Sequence, residues 1–269
     1  MLMYKFLILI LLLPCTLIIS QSISTEDKAP VFYFYTESEF CSKYIFRGIV
    51  LEDNYVLQPA VYAVYEVPDK WGNITAGVWF NFSMPQKQYL PDEVTGEYNN
   101  LERPFSYNET DLYLIHEFNL KKLSVKNTFA AYLFTEETGY PNTTEYILNL
   151  SYPAGQFSLL SEFACDISAY PGAFVFTHGI GWDKEISQEL NFSSVLNLIW
   201  GGAKYNMINA GIEKALLNST GIDVSLNYSH NAGFYTRARY QYNKILGGDM
   251  TQIYGKDTWY FSLLAGYSF

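Results

Sequence analysis

Cysteine is scarce in this sequence. Three cysteines occur in 269 residues, and Cys15 lies in an N-terminal apolar segment, which leaves Cys41 and Cys165 for the rest of the chain. Two thiols do not make a disulfide scaffold, and no Cys/His cluster has the spacing of a metal site. Cys41 and Cys165 also fall on opposite parities of two distant predicted strands, so we expect them to remain unpaired. The sequence predicts no metal and no cofactor.

Positive charge is also in short supply. The chain has 17 Lys and Arg residues against 27 Asp and Glu residues, a net charge of −10 at pH 7. Nucleic-acid binding needs a positive surface to neutralise phosphates, so no nucleic-acid partner is expected.

Beyond the N-terminus, the sequence lacks an apolar run of the roughly 20 residues that a spanning helix needs. The run at residues 6–19 is shorter, follows Lys5 and ends in small and polar residues, which is typical of an export signal. We predict a signal peptide over residues 1–22 and a single domain over residues 23–269. An uncleaved anchor and a lipoprotein modified at Cys15 are the alternatives, although the proline before Cys15 disfavours the latter.

Aromatic residues, in contrast, are abundant. Tyr, Phe and Trp number 24, 19 and 5 and make up 18% of the chain. In residues 222–229, "IDVSLNYS", apolar and polar side chains alternate strictly, which indicates a strand with one apolar and one polar face. Aromatic, alternating strands without long apolar runs are typical of a membrane β-barrel, whose interfaces carry aromatic girdles.

The same alternation predicts an all-β fold, a transmembrane up-and-down antiparallel β-barrel of about 12 strands. Two of these strands are weaker, at residues 55–67 and 205–215. The predicted strands are residues 32–47, 55–67, 73–83, 111–119, 125–134, 145–152, 156–166, 173–183, 191–200, 205–215, 222–229 and 257–269.

The connections agree with this topology, because such barrels alternate short periplasmic turns with longer extracellular loops. With a periplasmic N-terminus, the longest connections, residues 83–107 and 231–256, are extracellular. The short turns fall near residues 68–71, 120–123, 153–155, 184–188 and 216–219.

The alternation alone also fits a secreted β-sandwich with a solvated outer face. The signal segment, the aromatic strand ends and the terminal Tyr-x-Phe favour a bacterial outer-membrane barrel, in which the apolar parity faces lipid and the polar parity faces the lumen. We therefore expect these acidic residues to line the lumen: Glu66, Glu117, Glu162, Asp166 and Asp223.

The predicted first strand, residues 32–47, carries all its charges on one parity. Lys43 and Arg47 are accordingly expected on the lumenal side near the outer mouth, with Tyr44 and Phe46 towards lipid. A salt bridge from Arg47 to Glu39 or to a neighbouring strand is one expectation, and contact of Arg47 with a passing solute is the other.

"SKYIFRGI" at residues 42–49, followed by a short acidic loop, "LQPAVYA" and "ITAGVWFNF", resembles the opening of the bacterial TorF-type porin family. After residue 82 the similarity lies mostly in the pattern, through "YPGAFVFTHGIGW" to the C-terminal aromatic residue. The resemblance implies an outer-membrane barrel and does not imply a particular substrate.

The function expected from these features is a porin-like channel that passes small solutes by passive diffusion, with no catalytic residue, because no motif of catalytic chemistry stands out. The acidic lumenal parity favours cations. A structural or adhesive barrel whose loops bind a partner is the alternative, and an outer-membrane lipid hydrolase using Ser229 and His230 is a minor one, since adjacent strand residues point to opposite faces. The expected partners are outer-membrane lipid and, through the segment Tyr267 to Phe269, the barrel-assembly machinery.

Overall fold

The computed structural model describes residues 31–68, 71–91, 98–230 and 232–269. The predicted signal peptide, residues 1–22, lies outside the described residues. The strands of the described residues are β1 (Val31–Cys41), β2 (Tyr44–Phe46), β3 (Ile49–Glu52), β4 (Val56–Glu66), β5 (Asn73–Ser83), β6 (Gln86–Pro91), β7 (Tyr98–Arg103), β8 (Ser106–Leu120), β9 (Leu123–Phe134), β10 (Thr143–Ala154), β11 (Phe157–Asp166), β12 (Phe174–Glu185), β13 (Leu190–Gly201), β14 (Leu216–Ser229), β15 (Phe234–Ile245) and β16 (Asp257–Ser268).

Twelve of these strands form one closed antiparallel barrel, in the order β1-β4-β5-β8-β9-β10-β11-β12-β13-β14-β15-β16. The ring closes between β1 and β16, where Tyr35 pairs with Ser268 and Cys41 with Ser262. The pairs β2-β3 and β6-β7 form separate two-stranded sheets that arise from connections at the end carrying the long loops. Closure leaves no free edge in the barrel, so every spanning strand is hydrogen-bonded on both sides.

The predicted 12-stranded barrel is confirmed. One predicted strand does not exist and one strand was not predicted, so the number of strands is still correct. Residues 205–215 are not a strand: they begin in helix α1 (Ala203–Ala210), and the 216–219 segment predicted as a turn belongs to β14. The missing strand is β15, which lies within the predicted 231–256 loop. The last long loop therefore spans only the region around helix α2 (Gly248–Tyr254).

The first predicted strand is wrong at its C-terminal end. β1 stops at Cys41, and Tyr44–Phe46 and Ile49–Glu52 form the β2-β3 hairpin instead. Tyr44 and Phe46 consequently contact Trp79 and Tyr132 and do not face lipid.

The apolar parity of the barrel strands points outwards, as predicted. Side chains at the middle of the outer face are about half exposed, including Leu196 at 54% and Leu263 at 56%, whereas lumen-facing Ser262 on the same strand is 1% exposed. A band of exposed large apolar side chains around a closed barrel is stable only against hydrocarbon. Its members include Leu112, Phe129, Leu159, Ile180, Leu196, Leu198, Ile222, Leu226, Phe261 and Leu263.

The lumen is partly filled near the end with the long loops, which we take as extracellular because the opposite turns are short. One buried cluster joins α1 to the wall through Tyr205, Val175 and Ile199. A second joins Cys41, Val56 and Tyr260 to Tyr44 and Ile45 of the β2-β3 hairpin. Within the described ranges, no helix has both the length and the apolar character to cross a bilayer.

Candidate functional site: a lumen crossed by a hairpin

The β2-β3 hairpin, residues 44–52, turns at Arg47 and Gly48. Both have positive φ, 49° at Arg47 and 82° at Gly48, the combination that a two-residue type I′ turn requires. Gly48 is needed here for two reasons. Its φ disfavours any side chain, and a Cβ atom at this position would lie 2.6 Å from Ser219 Oγ. The turn thus places Arg47 at the tip of a hairpin with no room beyond it.

This hairpin crosses the lumen from the β1-β4 side to the opposite wall. Near its base the Tyr44 ring lies 5.7 Å from Trp79 on β5, and further along Phe46 lies 6.0 Å from Tyr132 on β9. At the tip, the backbone of Gly48 lies against Ser219 of β14. The hairpin therefore contacts several strands around the ring and obstructs the passage.

Arg47 anchors the hairpin to the far wall through a bidentate ion pair. Its Nη1 donates to Glu145 Oε1 at 2.9 Å and its Nη2 to Glu145 Oε2 at 2.8 Å, while Nε lies 3.6 Å from Glu162 Oε1. The side chains of Arg47 and Glu145 are only 7% and 10% exposed. Burial by itself lowers the pKa of the Arg47 guanidinium, but the Glu145 carboxylate more than offsets this and raises it well above the ordinary value. Arg47 is therefore a charged, paired and desolvated group.

The wall holds both carboxylates in place independently of the hairpin. The Tyr132 hydroxyl donates to Glu145 Oε2 at 2.9 Å, and Asn149 Nδ2 donates to Glu162 Oε2 at 2.7 Å. We call Tyr132, Glu145, Asn149 and Glu162, which lie on the consecutive strands β9, β10 and β11, the wall site. Removing one partner of such a buried pair typically costs about 3–5 kcal/mol, because a charge is left without a counter-ion.

The described lumen contains two cavities, and hairpin residues line the upper one. A cavity of about 530 Å³ opens at the extracellular end, lined by residues that include Tyr44, Glu52, Asn81 and Glu109. A second cavity of about 350 Å³ lies in the periplasmic half, lined by residues that include Glu117, Lys126, Glu162 and Asn197. Glu162 lines the lower cavity and also lies 3.6 Å from Arg47, so the tip of the hairpin is next to this cavity.

The arginines of the described lumen are all paired with carboxylates. Arg237 lies 3.2 Å from Glu39, and Arg239 forms an ion pair with Asp223. Lys126 stands opposite Glu117 in the β8-β9 register. Carboxylates on the lumenal parity outnumber these cations. They include Glu37, Glu39, Glu66, Glu109, Asp111, Glu117, Glu145, Glu162, Asp166, Asp183 and Asp223.

The predicted lumen residues have different roles. Lys43 lies at the base of the hairpin and forms an ion pair with Asp53, and Glu66 is exposed at the periplasmic end of β4. Glu117 and Glu162 line the lower cavity. The predicted pair of Arg47 with Glu39 is wrong, because Glu39 binds Arg237 and Arg47 reaches Glu145 across the lumen.

Two further predicted residues are engaged in local contacts. Asp166 is 5% exposed and accepts hydrogen bonds from the backbone N–H groups of Ser168 and Tyr170, which order the loop after β11. Asp223 accepts from Arg239 of the neighbouring strand.

Several residues of the site were missed from the sequence. Glu145 shares the polar parity of β10 with Asn149, so alternation alone was a sufficient signal for its lumenal position. Arg237 and Arg239 were missed with the whole of β15.

The histidines lie away from this site. His178 is on the outer face, where its Nδ1 lies 3.1 Å from Ser161 Oγ, and His116 is on the outer face near the periplasmic turn. His230 Nδ1 accepts from the Ala232 backbone N–H in a periplasmic turn. This arrangement does not favour the hydrolase hypothesis based on Ser229 and His230.

No protein-family model and no curated protein matches the chain. Among solved structures, the COG4313 outer membrane channel from Pseudomonas putida F1 is similar, with a TM-score of 0.50 and 11% identity over 93% of this chain and 100% of that one. The NanC porin (TM-score 0.47, 13% identity, 88% and 98% covered) and the KdgM porin (0.46, 9%, 89% and 99%) also align, but at scores too low to add an argument. The fold is that of a bacterial outer-membrane β-barrel.

Proposed function

We propose that this protein is a narrow porin-like channel of the bacterial outer membrane, which favours cations and passes small solutes by passive diffusion without catalysis. Membership of the TorF-type family is part of this proposal, as is a mature domain over residues 23–269 after removal of a signal peptide over residues 1–22.

The observation that carries the proposal is the charge balance of the lumen. Each lumenal arginine is neutralised by a carboxylate, as Arg237 is by Glu39, so the remaining carboxylates set the field. Glu117 and Glu162 both line the lower cavity. Rings of acidic side chains in a confined aqueous path raise the local concentration of cations, as in other cation channels.

The test is the reversal potential of the reconstituted protein in planar bilayers under a KCl gradient. We expect a cation-favouring potential that moves towards zero in Glu117→Gln and Glu162→Gln, because each change removes a negative charge at the lower cavity. Glu213→Gln is the matched control, since Glu213 is exposed in the connection between α1 and β14. Selectivity that survives both lumenal changes would show that these carboxylates do not line the path.

A second function, partner binding by the extracellular loops, is favoured by the β6-β7 hairpin. This hairpin extends the β5-β8 connection and pairs only with itself, so it is free of the barrel sheet. Replacing residues 86–103 by a short linker should leave conductance unchanged if the channel is the function. Loss of surface attachment of cells with intact conductance would instead support adhesion.

We also propose that the barrel-assembly machinery engages the end of β16. Tyr267 and Phe269 are 41% and 73% exposed at the barrel exterior. Deletion of Phe269 should slow the appearance of folded barrel in membranes, measured by heat-modifiable gel mobility, whereas Ser268→Ala should not. Equal folding rates for the two variants would remove this role.

A further inference from the structure

The wall site has the geometry of a preorganised receptor for a guanidinium group. Glu145 presents both carboxylate oxygens to Arg47 at 2.8 and 2.9 Å, and Glu162 approaches the remaining Nε at 3.6 Å. A planar fork of N–H donors matches this arrangement, while an ammonium, a point charge, cannot bond both oxygens and the second carboxylate in the same way.

The receptor belongs to the barrel, and only its occupant belongs to the hairpin. Tyr132 orients Glu145, and Asn149 orients Glu162, each through a hydrogen bond between barrel strands. Because these strands are fixed by ladders on both sides, the wall site keeps its shape when Arg47 is absent. The β2 and β3 strands, in contrast, pair only with each other and with no barrel strand.

The docked hairpin also carries a feature that opposes docking. Under the tip, Ser219 is 1% exposed and its Oγ has no hydrogen-bond partner within the described part of the chain. A hydroxyl that loses water without gaining a partner destabilises the docked state. The ion pair of Arg47 and the packing of Tyr44 and Ile45 against the wall offset this cost.

We propose that the wall site is a binding site for guanidinium-bearing solutes, which Arg47 occupies in the closed state and which such a solute occupies when the hairpin swings out. This inference rests on the proposed channel function and names the solute class that the channel favours. This exchange forms and breaks no covalent bond, because one guanidinium group simply replaces another on Glu145.

The experiment uses the full-length protein with Arg47→Ala, in planar bilayers and in detergent solution, with methylguanidinium as the probe. The conductance of the variant should exceed that of the unaltered protein several-fold, and millimolar methylguanidinium should reduce it. Tetramethylammonium, which has the same charge and no N–H donor, should have little effect. Lys43→Ala is the matched control, since it removes a cation at the base of the hairpin and leaves Arg47 on Glu145.

A second variant separates the wall site from a general charge effect. In Arg47→Ala combined with Glu145→Gln, affinity for methylguanidinium should fall by about 10- to 100-fold, the range expected for loss of charge-assisted hydrogen bonds. Folding of each variant is checked by heat-modifiable gel mobility.

The outcomes distinguish the two proposals. Equal sensitivity to methylguanidinium and tetramethylammonium, or block unaffected by Glu145→Gln, would overturn the guanidinium site while leaving the channel. If no variant conducts, the channel function fails, and calorimetric binding of methylguanidinium to Arg47→Ala that depends on Glu145 would still support the site. Absence of that binding would overturn it.

Discussion

Substitution of Gly48 by alanine should release the hairpin from the lumen wall. Gly48 has φ +82°, and an added Cβ atom would meet Ser219 Oγ at 2.6 Å and Ser219 Cβ at 3.3 Å. Rotation of the Ser219 side chain can relieve the Oγ contact, but the Cβ contact at 3.3 Å requires the tip or the wall to move by a few tenths of an ångström. We expect the tip to withdraw, because the barrel wall is fixed by its strand ladders and the hairpin is not.

The magnitude follows from the contact with Ser219, because the left-handed backbone belongs to the turn and is the same in the docked and the withdrawn hairpin. Forcing extra volume into a packed contact costs about 1–3 kcal/mol. Since about 1.4 kcal/mol changes an equilibrium tenfold, even the lower value of about 1 kcal/mol shifts the ratio of docked to withdrawn hairpin roughly 5-fold.

A matched control isolates the contact from the backbone. Gly139 has φ +70° but has no atom within 4 Å of its added Cβ, so Gly139→Ala carries the backbone cost alone. Conversely, Gly48→Ala combined with Ser219→Gly removes both Ser219 atoms that the added Cβ would meet. The other atom close to that Cβ is Ile199 Cδ1 at 3.7 Å, which is an ordinary van der Waals contact.

Two assays report the result. Single-channel conductance should be larger in Gly48→Ala than in the unaltered protein, unchanged in Gly139→Ala and intermediate in the double variant. Trypsin cleavage after Arg47, followed by mass spectrometry, gives the same order without depending on conduction. A Gly48→Ala protein as resistant to trypsin as the unaltered one, or a double variant as open as the single one, would refute the docked geometry.

Two other substitutions test the barrel itself. Glu39→Gln should leave Arg237 without its ion pair at 3.2 Å and shift the reversal potential towards anions, whereas a shift in the opposite direction would contradict the lumenal position of this pair. Leu196→Arg should destabilise the folded barrel in liposomes by about 2–4 kcal/mol in urea titration, because Leu196 is mid-strand on the lipid face. Lumenal Asp183→Asn should change that free energy little, and an equal loss in both would argue against the assigned faces.

Alternation along the strands was sufficient to predict the barrel, because a strand with lipid on one side and water on the other must alternate. The alternation did not reveal a strand whose outward side chains are small and therefore differ little from its polar ones. In β15 the outward residues include Thr236 and Ala238, which are small, and the inward ones include Arg237 and Arg239. Two arginines in eight residues weaken the apolar pattern, although Arg239 pairs with Asp223 on the neighbouring β14 and Arg237 pairs with Glu39 on β1, two strands away.

The hairpin was missed for a different reason. The parity of residues 32–47 continues without interruption through Lys43 and Arg47, so nothing in the pattern marks the end of β1 at Cys41. Arg-Gly is also a weak signal for a type I′ turn compared with Asn-Gly. The partner of Arg47, Glu145, is 98 residues away in the sequence, and only closure of the barrel brings them together.

An ionic anchor suits a hairpin that leaves and returns to an aqueous lumen better than an apolar one does. An apolar plug of similar size would be held by dehydration and would expose its apolar surface to water on leaving. When Arg47 leaves Glu145, both charged groups regain their hydration. This hydration offsets much of the Coulombic attraction that is lost, because the two free energies are nearly equal in buried ion pairs. The buried pair therefore specifies where the tip docks, and the packing of Tyr44, Ile45 and Phe46 against the wall adds to the stability of the docked state.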